Sequence, residues 1–93
     1  MYTIWKYPLV LTRVQTLHIP LLEPLAVQVQ GAGLGSETPC LWARVDTDND
    51  PEPITIWIFS TGDDEIPPHL RLNYLSTFQL RDGTVWHAFM QDR

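Results

Sequence analysis

Asp46, Asp48 and Asp50 recur at every second position, the spacing at which an EF-hand loop presents its first three calcium ligands. Pro51 stands where that loop needs glycine and Trp57 where its bidentate glutamate belongs, so the run reads, with Glu52, as a solvated acidic turn. Asp63, Asp64 and Glu65, taken with His69 or His87, are residue types that exchange protons, but no nucleophile with an orienting partner accompanies them. His18 and His87 fall on expected strands, where a hydrogen-bonded structural role is expected, and Cys40 beside Pro39 reads as a small buried apolar residue. Gly31, Gly33 and Gly35 have the look of a phosphate cradle, yet Ser36-Glu37-Thr38-Pro39 leads into a strand and not into the helix whose N-terminus a phosphate requires. The expectation is therefore no catalytic residue, no metal ligand and no cofactor.

The tryptophans carry the stronger signal. Strand alternation groups Trp42 with Cys40 and Arg44, away from Leu41, Ala43 and Val45, and groups Trp57 with Thr55 and Phe59. A two-residue turn at Asp82-Gly83 would set Gln79 opposite Trp86 and Phe78 opposite His87, leaving Trp86 on a polar face with Arg81. Trp42, Arg44, Trp57, Arg81 and Trp86 are then expected on the less apolar sheet face, where aromatic planes and cations suit a protein interface or a nucleotide. The competing expectation is a second core layer beneath the proline-rich segments.

The elements that must position these residues are short. Prolines and polar clusters interrupt the chain, and the apolar residues alternate more than they recur at helical spacing. Strands are expected over Tyr2 to Tyr7 and Arg13 to Ile19, each ended by a proline and so placed near a sheet edge. Leu25, Val27 and Val29 should be buried along one strand, joined through a glycine-rich loop to a second over Cys40 to Val45. Ile54 to Phe59 is apolar on both faces, which marks a central strand or one covered by a partner. Tyr74 to Arg81 and Thr84 to Met90 form the last hairpin, and Pro68 to Leu72 could make one helical turn. The fold expected is mainly β, a small sandwich or open barrel of about six strands in a single domain over residues 1–93.

Length and charge narrow the partners. A chain of 93 residues has room for one core, and roughly 60% burial of its unfolded surface leaves subunit association as a natural source of further stability, so a homo-oligomer is expected. The net charge of −5 and the scattering of its six Lys and Arg residues argue against direct nucleic-acid binding. No apolar run approaches the ~18 residues of a membrane span, and one cysteine excludes an internal disulfide, which together suggest the cytoplasm.

At Gln28-Val29-Gln30, Pro39 through Asp46, Ile58-Phe59-Ser60-Thr61-Gly62 and Tyr74 through Leu80, the chain resembles a family of small uncharacterised proteins encoded by bacteriophages and prophages. Ile4 through Leu9 and Val85 through Phe89 extend that resemblance over nearly the whole length. It departs from the family pattern in a longer Gly31 to Glu37 loop and in Ser60 and Asp63, which replace a Gly and a His around Thr61-Gly62. The resemblance implies no catalytic residues. It implies a non-enzymatic accessory protein in the host bacterial cytoplasm that blocks a host protein or nucleoprotein complex, an anti-defence inhibitor of the anti-CRISPR kind. The acidic loops, Asp46, Asp48, Asp50 and Glu52 with Asp63, Asp64 and Glu65, would then face a basic surface. The other readings are a sponge for a nucleotide immune signal and a virion assembly protein.

Overall fold

A computed structural model describes residues 1–31 and 37–93. The described residues form seven strands and no helix: β1 (Tyr2–Pro8), β2 (Val14–Ile19), β3 (Leu21–Gln30), β4 (Thr38–Asp46), β5 (Glu52–Ser60), β6 (Leu72–Gln79) and β7 (Val85–Gln91). They make two antiparallel sheets, sheet A in the order β1-β4-β3 and sheet B in the order β2-β5-β7-β6. The all-β class is as expected. Leu70 N–H reaches Pro67 C=O at 3.4 Å, a turn where a helical turn was expected, and the 32–36 stretch with Gly33 and Gly35 lies outside the described residues.

Period-two alternation dictates the core. Leu41, Ala43 and Val45 of β4 face Ile54, Ile56 and Ile58 of β5, and Leu9, Ile19, Leu21, Val27, Phe78, Ala88 and Met90 join them in a single buried cluster. The strand apolar on both faces is indeed interior, since β5 is hydrogen-bonded on both sides. Prolines do what their missing N–H demands: β1 and β2, ended by Pro8 and Pro20, are outer strands of their sheets. At Pro20 the chain crosses from sheet B to sheet A between two buried residues, Ile19 and Leu21, and Pro20 C=O accepts from Asp46 N–H at 3.1 Å. β3 runs beside β6, where buried Val27 N–H donates to Ser76 Oγ at 2.9 Å. Leu25 is exposed instead of buried, because the β3 register slips between Pro24 and Ala26 and turns it out of line with Val27.

The last hairpin departs from expectation by one residue, with large consequences. Gly83 N–H donates to Leu80 C=O at 3.0 Å, Leu80 N–H donates to Thr84 C=O at 2.9 Å, and Gly83, the last of the three loop residues Arg81, Asp82 and Gly83, has φ of 89°. This is a type I turn closed by a glycine bulge, with a three-residue loop, not the two-residue mirror-image turn. Phe78 therefore pairs with Trp86 and Thr77 with His87. A slip of one residue exchanges the faces of a whole strand. Trp86, Ala88 and Met90 point to the core side, and His87, Phe89 and Gln91 point outward.

Asp82 fastens this turn. Its carboxylate accepts from Thr84 Oγ1 at 2.6 Å and from Thr84 N–H at 2.9 Å, and these bonds hold its pKa below the ordinary aspartate value. Gly83→Ala should lower stability by about 1 kcal/mol in denaturant melts. The cost is conformational, because a methyl group there meets nothing within 4 Å.

Candidate functional site

The outer face of sheet B concentrates aromatic side chains where a soluble sheet would present polar ones. One cross-strand row runs over all four strands: Val14 opposes Trp57, Trp57 opposes Phe89, and Phe89 opposes Tyr74. A second row, one step along, joins Phe59 to His87 and His87 to Thr77. The rings form a chain: Trp57 stacks on Phe59 at 5.9 Å and 13°, Phe59 meets Phe89 edge-on at 5.9 Å, and Tyr74 meets Phe89 edge-on at 5.6 Å. Phe59, on the outward face, is only 3% exposed beneath its neighbours, whereas Tyr74 is 60% exposed and Val14 43%.

A β-bulge puts Tyr74 in this row. Ser76 pairs with buried Ala88, so regular alternation would turn Tyr74 to the same inner side. The extra residue at Leu75 shifts the pairing and re-aims Tyr74 outward against Phe89.

Hydrogen bonds fix the rings. Trp57 Nε1–H donates to Gln91 Oε1 at 2.8 Å. Thr61 Oγ1 donates its single proton to Val85 C=O at 3.1 Å, so at 2.6 Å from His87 Nε2 it accepts, which assigns the imidazole proton to Nε2. His87 Nδ1 then accepts from Thr77 Oγ1 at 3.0 Å, and Thr77 Oγ1 accepts from the Tyr74 hydroxyl at 2.7 Å. The chain from Tyr74 to the Val85 carbonyl is satisfied at every link and occupies both His87 nitrogens. Beside it lies an open groove of about 560 Å³ lined by Ser60, Thr61, Asp63, Thr84, Trp86 and His87. Asp63 and His87, separate in sequence, thus border one groove, while Asp63 and Asp64 accept from Ser60 Oγ and Asp64 also from Ser60 N–H at 2.8 Å. Among the described residues no group of three or more His, Cys, Asp or Glu could hold a metal ion.

The five residues expected to share a face lie on separate surfaces. Trp42 and Arg44 are on the outer face of sheet A, where Lys6 Nζ stands 5.7 Å from the Trp42 ring centre and Arg44 pairs with Glu23 at 3.3 Å. Trp57 is on the outer face of sheet B, and Trp86 is turned inward, its Nε1–H donating to Thr84 Oγ1 at 2.9 Å. Arg81 sits in the hairpin turn, with its N–H bonded to the Glu37 carboxylate at 2.8 Å. The face that does assemble joins Phe59, which strand alternation had grouped with Trp57, to Phe89, Tyr74 and His87, which sequence reasoning placed elsewhere or passed over. Its legible signal was β5, apolar on both sides.

The two acidic loops lie at opposite ends of β5, about 27 Å apart along nine residues of strand. At one end Asp46 accepts from Asp48 N–H and from the Met1 ammonium, which hold its pKa below the ordinary value, and Glu52 pairs with Arg93. Asp48 and Asp50 are exposed there. At the other end Asp63, Asp64 and Glu65 follow Ser60, next to the Phe59 end of the aromatic face.

Buried Cys40 lies on β4, as its sequence context suggested. The family model described as "Domain of unknown function (DUF7352)" matches residues 1–93. No curated protein and no solved structure matches the chain.

Proposed function

We propose that this chain, which belongs to that family of domains of unknown function, is a non-enzymatic binding domain that occupies a protein partner with the outer face of sheet B. The observation that carries this reading is the row Val14–Trp57–Phe89–Tyr74, an aromatic strip on the side of the sheet turned away from the core. Interface energy concentrates in Trp and Tyr anchors held rigid before binding, because little rotamer entropy is then lost. Gln91 and Thr77 hold Trp57 and Tyr74 in that way. Exposed Asp63 and Glu65 at the Phe59 end supply an acidic rim, which selects a partner whose own rim is basic.

With the resemblance to small phage proteins, the partner proposed is a component of a bacterial defence system whose basic, nucleic-acid-facing surface the domain covers. The dispersal of Trp42, Arg44, Trp57, Arg81 and Trp86 favours this over a nucleotide sponge, which needs ring and cation together.

The test is affinity capture from a defence-bearing bacterial lysate with the wild-type chain and with Tyr74→Ala. A protein retained by the wild type, released by raised salt and lost with Tyr74→Ala is the expected outcome. Identical sets of retained proteins from the two chains would remove the aromatic face from the account.

A further inference from the structure

The geometry points to the free edge of β1 as the site at which a second copy of this chain adds, joining two A sheets into one continuous six-stranded sheet. This goes beyond the binding reading and uses a different surface. Thr47 N–H donates to Met1 C=O and Leu9 N–H donates to Pro39 C=O, so the odd-numbered residues of β1 face β4 with their backbone groups. By the two-residue period, the N–H and C=O groups of Tyr2, Ile4 and Lys6 point the other way, to an edge with no partner strand among the described residues. Pro8 stands in the same phase, so the N–H it lacks is one that would have faced outward.

The edge carries apolar side chains as well as unpaired backbone. Tyr2 is 73% exposed, Ile4 57% and Trp5 44%, and Lys6 is the only charged residue of the strand. Such an edge is a template for another strand. An antiparallel pair of β1 strands related by a two-fold axis at Ile4 sets Tyr2 opposite the partner's Lys6 and Ile4 opposite its copy. All three outward residues of each chain then exchange bonds, roughly six in total, and Pro8 falls beyond the paired segment. Centring the axis at Thr3 leaves Lys6 unpaired. Centring it at Trp5 sets Pro8 opposite Tyr2, leaving the Tyr2 carbonyl without a donor, and sets two indoles face to face. The Ile4 axis alone uses every donor and acceptor of Tyr2, Ile4 and Lys6. It also brings a partner lysine to the tyrosine ring and puts no like charges together. Of the other edge strands, β3 and β6 run beside each other, and β2 offers only Val14 as a large exposed apolar side chain.

Sedimentation at about 100 µM should show the full chain as a dimer. Ile4→Pro removes one outward N–H from the centre of the pairing at a position whose N–H takes no part in the β1–β4 ladder, so it should sediment as a monomer with a cooperative melt. Ile4→Cys in a Cys40→Ala background is the second variant: an Ile4 axis sets the two thiol-bearing residues about 5.5 Å apart between Cα atoms, within disulfide range, so mild oxidation should give a covalent dimer. Tyr74→Ala should remain dimeric, which keeps this outcome separate from that of the capture experiment. A monomeric wild-type chain, or a dimer that cysteine at position 4 does not cross-link, overturns the proposal.

Discussion

Replacing Trp86 by alanine is expected to lower the stability of the domain by about 2–3 kcal/mol and its melting temperature by roughly 10–20 °C. The indole packs against the buried cluster from the core side of β7, opposite Phe78, with its N–H satisfied by Thr84. Truncation leaves a void beside Phe78 and removes a ring that walls the groove at Ser60 and Thr61. For a chain of this size that is a large fraction of the whole free energy of folding. Tyr74→Ala is the internal control: its ring is mostly in solvent and contacts Phe89 from outside, so it should cost under about 1 kcal/mol. Thermal and urea melts of both variants would report the difference. Equal, small losses would mean that Trp86 stands on the solvent side, as a two-residue turn at Asp82-Gly83 would have it.

That hairpin shows where the sequence was legible and where it was not. Strand alternation located Leu41, Ala43 and Val45 in the core and Trp42 on the opposite face, because β4 is regular and flanked by two strands. Proline placement marked β1 and β2 as outer strands for the same physical reason that confines proline to edges. Asp-Gly signals a tight turn but does not distinguish a two-residue loop from a three-residue loop with a glycine bulge; both want positive φ at Gly83. The choice between them decides which face Trp86, His87 and Phe89 occupy. The bulge at Leu75 is a second such decision, as no residue of Tyr74-Leu75-Ser76 announces it, and it alone brings Tyr74 beside Phe89. The candidate face is therefore a product of two register irregularities acting on the same strand pair. β5 needed neither, which is why its double-sided apolar pattern was the one part of the face that showed in the sequence.

The largest functional effect is expected from Tyr74→Glu, which sets a carboxylate at the exposed end of the aromatic row without disturbing the core. A buried, unpaired charge in an otherwise apolar contact costs about 3 kcal/mol or more, which is on the order of a hundredfold or greater loss of affinity. An inhibitor that acts by occupancy loses its effect over that range. Glu65→Lys at the rim should act differently: it removes long-range attraction, slows association and flattens the salt dependence, while leaving the aromatic contact in place. Asp50→Lys, at the far end of β5, should do less than Glu65→Lys, because the strand holds the two loops apart.

The most direct measurement is the plating efficiency of a defence-sensitive phage on bacteria that carry the defence system and express either the wild-type chain or Tyr74→Glu, with folding of the variant established by its melt. The account predicts that the wild type restores plating by orders of magnitude and that Tyr74→Glu, at equal abundance, restores none of it. Restoration by Tyr74→Glu equal to that of the wild type would contradict the assignment of the outer face of sheet B, and no restoration by the wild type against any defence system tested would contradict the inhibitor itself.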